Sequence, residues 1–484
     1  MKLPRCCVLS VLASAVLLLP GMVAAAPPSV LAAVDGYAAR QAEVGRALWA
    51  QPELGYQETR SSALLQQELR AAGFSIQAGV AGMPTAFVAR YGRRGNGPVI
   101  ALLAEMDALP GMAQAAVPTR SPIPGQDAGQ ACGHNLFGAA VVGAAQAVAQ
   151  WLKANGSDGE IRVYGTPAEE GGSGKVYMTR AGLFDDVDVA LHWHPSAENS
   201  AAQGTSLANI SGKFRFKGIA AHAALSPERG RSALDGVEAL DHMANMMREH
   251  VPDGTRIHYV ITDGGAAPNV VPDAAEVYYY VRHVDPAVVR DVIGRLQQAA
   301  RGAAMGTGTE VGFEPTGGVY SLLPNDVLGQ VMQQALQQVG GVVYDRADTA
   351  FAEQLQQSLE RRPALSTAAT LAPYRADHAG GASTDVGDVS WNVPTVGLST
   401  ATWVPGTPAH SWQAVAASGA PIGDKGALNA ARVLALATVA LLQSPQTVSA
   451  ARAEFEQRRG AGFRYTPLLE RTDPPLDYRS KIKR

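Results

Sequence analysis

The pattern of apolar and polar positions divides the chain into stretches of two kinds. Residues 34–49 and 61–72 repeat apolar side chains at helical spacing, the second with Leu64, Leu65, Leu69 and Ala72 on one face, and predict two amphipathic helices. Residues 86–91 and 99–103 predict strands, the second nearly all apolar and so central in a sheet covered on both faces. A helix rich in small residues is expected at 138–152, with further strands at 161–165 and 187–191. From about residue 208 the character changes. Residues 210–217, 256–261 and 276–282 alternate polar and apolar side chains, as antiparallel strands with one solvated face do. Helices expected at 232–250 and 286–304 separate them, and 311–315 adds a last strand. After 324 the α/β character resumes, through 396–398, to an Ala/Leu-rich helix at 425–442. The expected fold is an α/β domain with a mixed sheet, in two segments (26–209 and 323–445), interrupted by a smaller α+β domain at 210–322. Residues 446–484 are charged and contain proline, and predict an extension wrapped on the surface.

Composition adds limits. A length of 484 residues fits two domains or more, and 17% charged residues with a net charge of -3 give no footprint for nucleic acid. No long low-complexity tract argues for disorder. At the N-terminus, Lys2 and Arg5 precede an apolar run over 6–23 that ends in Ala24-Ala25-Ala26-Pro27. That pattern predicts a signal peptide over 1–25, cleaved before Ala26, and a periplasmic or secreted protein with no membrane insertion afterwards. A membrane anchor is the alternative, but Pro20 and Gly21 interrupt the run. No other segment is expected to span a bilayer. Cys6 and Cys7 would leave with the signal, so Cys132 would be the one thiol of the mature chain. A bound metal would protect it in an oxidising compartment.

The candidate chemistry starts from Cys132-Gly133-His134. A thiolate and an imidazole two residues apart make half of a transition-metal site, although a small buried Cys beside a capping Asn135 has the same sequence. Glu169 and Glu170 follow the 161–165 strand. Adjacent carboxylates repel unless a cation lies between them or one is protonated, which one metal ligand and one general base would satisfy; a solvated acidic loop is the plain alternative. His192 and His194 fall on one face at period two, and His410 lies in a later loop. Asp107 ends the central strand, where open α/β sheets place chemistry, or else serves the turn before Pro110. Together these stretches point to a two-metal hydrolase.

Cys-Gly-His, Pro167-Ala168-Glu169-Glu170-Gly171-Gly172 and Gly218-Ile219-Ala220-Ala221-His222-Ala223-Ala224, in this order, resemble the zinc-dependent aminoacylase and carboxypeptidase family, peptidase family M20. That family includes carboxypeptidase G, hippurate hydrolase and the plant auxin-conjugate amidohydrolases. The resemblance runs from about residue 36 to 442, and residues 381–389 are similar to its aminobenzoyl-glutamate branch. It implies a catalytic domain interrupted by a lid that dimerises. It also implies that Cys132, His134, Glu170, His194 and His410 hold two divalent ions, zinc first, with manganese or nickel as alternatives. Glu169 becomes the general base. His194 is preferred to His192 because the family ligand falls six residues after the Asp that opens this strand, here Asp188. His222 would reach the substrate carbonyl across a dimer interface, and Asn269 and Arg282 would lie near the substrate carboxylate. Glu105 and Asn135 stand where the broader family has Asp, and both fit the aminobenzoyl-glutamate branch. The implied activity is hydrolysis of the amide bond of N-acyl or N-aroyl amino acids by a homodimer. The alternative is an inactive or partner-dependent subunit, or an exported metal- or substrate-binding protein; a base beside a ligand argues against a mere binder.

Overall fold

A computed structural model describes residues 28–479, so the expected signal peptide and its cleavage site lie outside the described residues. Six strands form the main sheet, in the order Ser75–Ala78, Phe87–Arg93, Gly159–Thr166, Val99–Glu105, Val189–Leu191, Thr395–Val396. The first two pairings are antiparallel and the other three parallel, which makes the sheet mixed. Val99–Glu105 is buried along its whole length, as its unbroken apolar run requires. Its C-terminal end delivers Glu105 and then Asp107 to the edge where α/β sheets carry sites. The last strand comes from the far side of the interruption: Thr395 pairs with Ala190 and Val396 with Leu191.

Three long helices, Pro28–Ala50, His134–Asn155 and Pro421–Gln443, share one core through Val34, Leu48, Val141, Val148, Leu434 and Leu441. The last two correct the expectation that only the N-terminus carries an apolar segment of membrane-spanning length. Both are long and apolar enough, and 89% and 83% of their most apolar windows are buried inside the protein. Their apolarity is that of core helices surrounded on all sides. A Cβ at Gly138 would lie 2.9 Å from Leu65 Cδ1 and 3.2 Å from the Glu105 carbonyl oxygen, so this glycine lets the helix close on the central strand.

The second sheet is antiparallel, in the order Arg256–Asp263, Ala274–His283, Ala208–Lys217, Glu310–Val319. Along Ala274–His283 every second residue is buried, which is the alternation read from sequence. Helices Ala233–Met247 and Pro286–Thr307 cover the apolar face through Val237, Leu240, Val289 and Leu296, packed on Phe214, Phe216, Val277 and Tyr279. Each begins at a residue suited to its role. Ser232 Oγ accepts from Asp235 N–H at 3.1 Å, and Asp285 precedes Pro286 and accepts from Ala287 N–H at 2.8 Å.

The C-terminal stretch departs from the expected surface wrap. It begins with a helix, Pro445–Arg459, and then enters both cores, with Leu468 in that of the second sheet and Leu469 in that of the main sheet. The scattered Leu and aromatic residues of a charged segment account for this, since each buries apolar surface that the charges around it leave in water.

Candidate active site

The Cys-Gly-His turn depends on Gly133, whose φ of 73° is left-handed and whose missing Cβ would lie 2.8 Å from Pro195 Cβ. The turn starts the helix His134–Asn155, so His134 sits at its first residue rather than in the loop ahead of it. Cys132 Sγ lies 3.3 Å from His194 Nε2. Asp107 holds the other imidazole: His134 Nδ1 is 3.0 Å from both its carbonyl oxygen and Oδ1. That fixes the ring and turns Nε2, 3.2 Å from Glu105 Oε2, into the site as a candidate ligand.

The Glu169–Glu170 loop is held by its backbone. Ala168 N–H donates to Glu58 Oε1 at 2.8 Å and Glu170 N–H to Asp107 Oδ2 at 2.9 Å. Glu170 Oε1 lies 3.2 Å from His410 Nε2. Ala168 and His410 both have a φ of 57°, and His410 N–H donates to the Ala131 carbonyl at 3.0 Å. A non-glycine residue in this region costs about 1–3 kcal/mol, which the surrounding bonds offset.

Ligand atoms converge in three groups, each within 4.8 Å: Cys132, His134 and His194; Cys132, Glu170 and His410; Glu105, His134 and Glu169. All five predicted ligands are therefore brought together, with Cys132 common to two groups. The donors fit a divalent cation: His134 Nε2 faces Glu105 Oε2 and His410 Nε2 faces Glu170 Oε1, each at 3.2 Å, and the buried His134, Glu105 and Glu170 atoms make no hydrogen bond of regular geometry. The backbone N–H groups of His192 and His194 donate to the Val396 and Leu398 carbonyls at 3.0 and 2.7 Å, which carries the two-residue alternation past the end of the strand. Both histidines line the cavity while Trp193 turns into the core, but His194 alone reaches Cys132. His192 packs on Gly397 and joins none of the three groups.

Charge around the site is arranged in a buried row. Lys175 is fully buried, with Nζ 2.7 Å from Glu105 Oε1 and 2.7 Å from Asp385 Oδ1. Burial opposes its charge, but Asp385 and Glu105 hold the ammonium charged well above the usual lysine range. Burial, then Glu105 and Glu170, pushes Glu169 well above the carboxylate range, as suits a group that takes up and returns a proton. Burial and Glu170 likewise raise the Cys132 thiol, so a cation is needed to make it a thiolate. Desolvation lowers His194 and takes His192 down to about 4, keeping both neutral. Asn135 is structural: Nδ2 donates to the Gly45 and Ser418 carbonyls, both at 3.0 Å.

These groups open on a cavity of about 560 Å³, walled also by residues 380–384. None of the lid candidates lines it. His222 and Asn269 are exposed at one end of the second sheet, where His222 bridges Val270 and the Asn269 carbonyl accepts from Ala223 N–H at 3.0 Å. Arg282 stands opposite Asn209 at the other end of the ten-residue strand Ala274–His283, about 30 Å away at the usual strand rise. Its Nε is buried without a partner and its guanidinium lies over the Tyr280 ring. Within one chain, Asn269 and Arg282 do not meet. Lys175 and Asp385 went unassigned in the sequence; a lone lysine after an acidic, glycine-rich loop was the available signal.

Residues 101–392 match the model of peptidase family M20/M25/M40. The chain belongs to this family. As an M20 member it is a hydrolase of the peptidase and amidohydrolase kind. It is 39% identical to one of the subunits of the p-aminobenzoyl-glutamate hydrolase of Escherichia coli, over 91% of this chain and 97% of the relative. The M20 fold recurs in an aminobenzoyl-glutamate utilization protein from Klebsiella pneumoniae, with TM-score 0.61 and 20% identity over 84% of this chain and 96% of that one. It recurs again in a dinuclear metal-binding M20 peptidase of Bacillus subtilis, with TM-score 0.58 and 19% identity over 84% and 99%.

Proposed function

We propose that this M20 hydrolase is exported and, with two divalent ions, cleaves the amide bond of N-acyl or N-aroyl amino acids of the aminobenzoyl-glutamate kind. The observation that carries the reading is the convergence of two three-donor groups on Cys132, with the Glu169 carboxyl beside them, grouped with His134 and Glu105. The similarity to the E. coli hydrolase supports the substrate class. Cys132, His134 and His194 would hold one ion, and Cys132, Glu170 and His410 the other. Zinc is the ion that the sulfur and nitrogen donors favour, with manganese or nickel as alternatives. Ions bound there supply Lewis acidity and lower the pKa of water. Glu169 takes a proton from the attacking water and passes it to the amine nitrogen as the C–N bond breaks. One water is consumed, and a carboxylic acid and an amino acid result. Lys175 keeps Glu105 charged and paired, so Glu169 is the carboxylate left to move the proton.

A second reading, a chain that works only with a related partner, is favoured by the relative's description as a subunit. Purified mature protein decides between them. Metal content and kcat/KM on a panel of N-acyl amino acids, each beside its amino-acid amide, are measured on the chain alone. Two ions per chain and a strong preference for the free carboxylate are expected. Full metal with no turnover of any member would favour the partner-dependent reading, and equal kcat/KM for acid and amide would refute carboxylate recognition. N-terminal sequencing of protein recovered from outside the cytoplasm tests export, with Ala26 expected first.

A further inference from the structure

The C-terminal segment runs from the second sheet to the back of the Glu169–Glu170 loop. Tyr465 Oη donates to Asp388 Oδ1 at 2.6 Å, and the Thr466 carbonyl accepts from Arg290 at 2.6 Å. Arg180 donates to the carbonyls of Leu469 and Arg471. Tyr478 then packs edge-on against Tyr56, with ring centres 5.7 Å apart, and its hydroxyl donates to the Glu170 carbonyl at 3.2 Å. The Arg479 guanidinium donates to the same carbonyl. A Cβ at Gly55 would lie 2.4 Å from Tyr478 Oη, so the bare backbone there makes room for this hydroxyl.

The loop is thus held at four backbone points. Glu58 takes Ala168 N–H, Asp107 takes Glu170 N–H, Tyr56 donates to the Gly172 carbonyl at 2.6 Å, and Tyr478 with Arg479 holds the carbonyl of Glu170. Glu170 Oε1 faces His410 Nε2 at 3.2 Å, itself a predicted ligand, so the backbone is what fixes the direction of Glu170 independently of the other ligands. We propose that Tyr478 and Arg479 are positioning residues, which aim the Glu169–Glu170 loop through the Glu170 carbonyl so that metal retention depends on the far C-terminus. This rests on the proposed function only in taking Glu170 as a ligand.

The test uses full-length mature protein with Tyr478→Phe, Arg479→Gln, both together, and Arg479→Lys. Zinc affinity is measured by competition with a chromophoric chelator, alongside kcat, KM and the Tm of the metal-free protein. The double variant is expected to bind zinc ~10- to 100-fold more weakly, the range for losing an outer-shell partner of a ligand. Its kcat should fall with KM nearly unchanged and the metal-free Tm within a few degrees. Arg479→Lys should restore most of the affinity, since an ammonium can donate to the same carbonyl. Unchanged zinc affinity in the double variant overturns the proposal. So does a loss matched by an equal fall in the metal-free Tm and not rescued by lysine, which would mark a merely structural tail. Tyr478→Phe alone removes only a hydroxyl and keeps the test valid if the double variant fails to fold. Zinc affinity is read without substrate, so failure of the proposed amide chemistry would leave the outcome of this test intact.

Discussion

Asp107 and Glu170 are joined through the backbone: the Glu170 N–H donates to Asp107 Oδ2 at 2.9 Å, while Asp107 Oδ1 faces His134 Nδ1 at 3.0 Å. One carboxylate thus aligns a predicted ligand from each metal group. Asp107→Asn keeps the shape but turns an NH₂ toward one of two donors, leaving a buried N–H unpaired at a cost of about 1–3 kcal/mol. Metal affinity is expected to fall ~10- to 100-fold, measured by chelator competition. An unchanged affinity would mean that the two groups are aligned without it.

The adjacent glutamates should separate by experiment. Glu169→Gln is expected to retain metal and lose at least ~10²-fold in kcat, the lower range for removing a general base. Glu170→Gln should lose metal as well, because its carboxylate faces His410. Elemental analysis of both variants is the check, and metal loss in Glu169→Gln alone would exchange their roles.

Cys132 and the two histidines offer a sharper contrast. Cys132→Ser removes the donor shared by the two groups proposed to hold the ions, and should lower content of both ions together. His194→Ala should lose metal, whereas His192→Ala should keep it, since His192 joins no group of ligand atoms. Metal loss from His192→Ala would reassign the ligand.

The lid geometry predicts behaviour in mixtures. His222 and Asn269 lie at the end of the sheet away from Arg282, so a second copy of the chain would have to bring them to the cavity. Mixing inactive His222→Ala with inactive Glu169→Gln protein should then restore part of the activity. No recovery despite demonstrated subunit exchange would take His222 out of the reaction.

Stability should depend on pH through Asp388. Burial raises its carboxyl from 3.8 to about 7, against the bonds from Tyr465 and the Tyr320 N–H. Between those values the native state holds a proton that the unfolded state has released, so stability falls as pH rises, by up to about 1.4 kcal/mol per unit. Above about 7 the loss is complete and the curve flattens. Asp388→Asn imitates the protonated form and should flatten that leg, seen as urea midpoints recorded from pH 4 to 8. An unaltered slope would assign it to other groups.

What could be read in the sequence was chemistry carried by short, contiguous segments. Cys132-Gly133-His134, Glu169-Glu170 and the His192/His194 pair stand at strand ends or tight turns, where neighbours along the chain are also neighbours in space. The second sheet was legible because Ala274–His283 alternates so regularly. Long-range pairing left no such mark. Lys175 is defined as a buried cation by Asp385, 210 residues away, and a lysine shows nothing of its burial in its own surroundings. The apolarity of Pro421–Gln443 speaks of burial without naming the solvent, core or lipid. The C-terminal tail looked polar because its charges outnumber the few side chains that anchor it.

The split of the main sheet has a consequence for the order in which the protein is made. Thr395–Val396 closes the sheet beside Val189–Leu191, and His410 reaches Glu170, only after the whole second sheet has been synthesised between them. Until then the emerging chain carries Lys175 without Asp385 and Cys132 without its last predicted neighbour, and it lacks the core helix Pro421–Gln443. Contacts of such span form slowly, and the growing polypeptide exposes apolar surface while it waits. The Cys132 thiol would be open to premature oxidation or to a stray ion throughout that interval. On the proposed ligand set, loading of both ions would wait until His410 has been made, and a chaperone or a late metal supply would then matter more here than in an enzyme whose ligands come from one continuous segment.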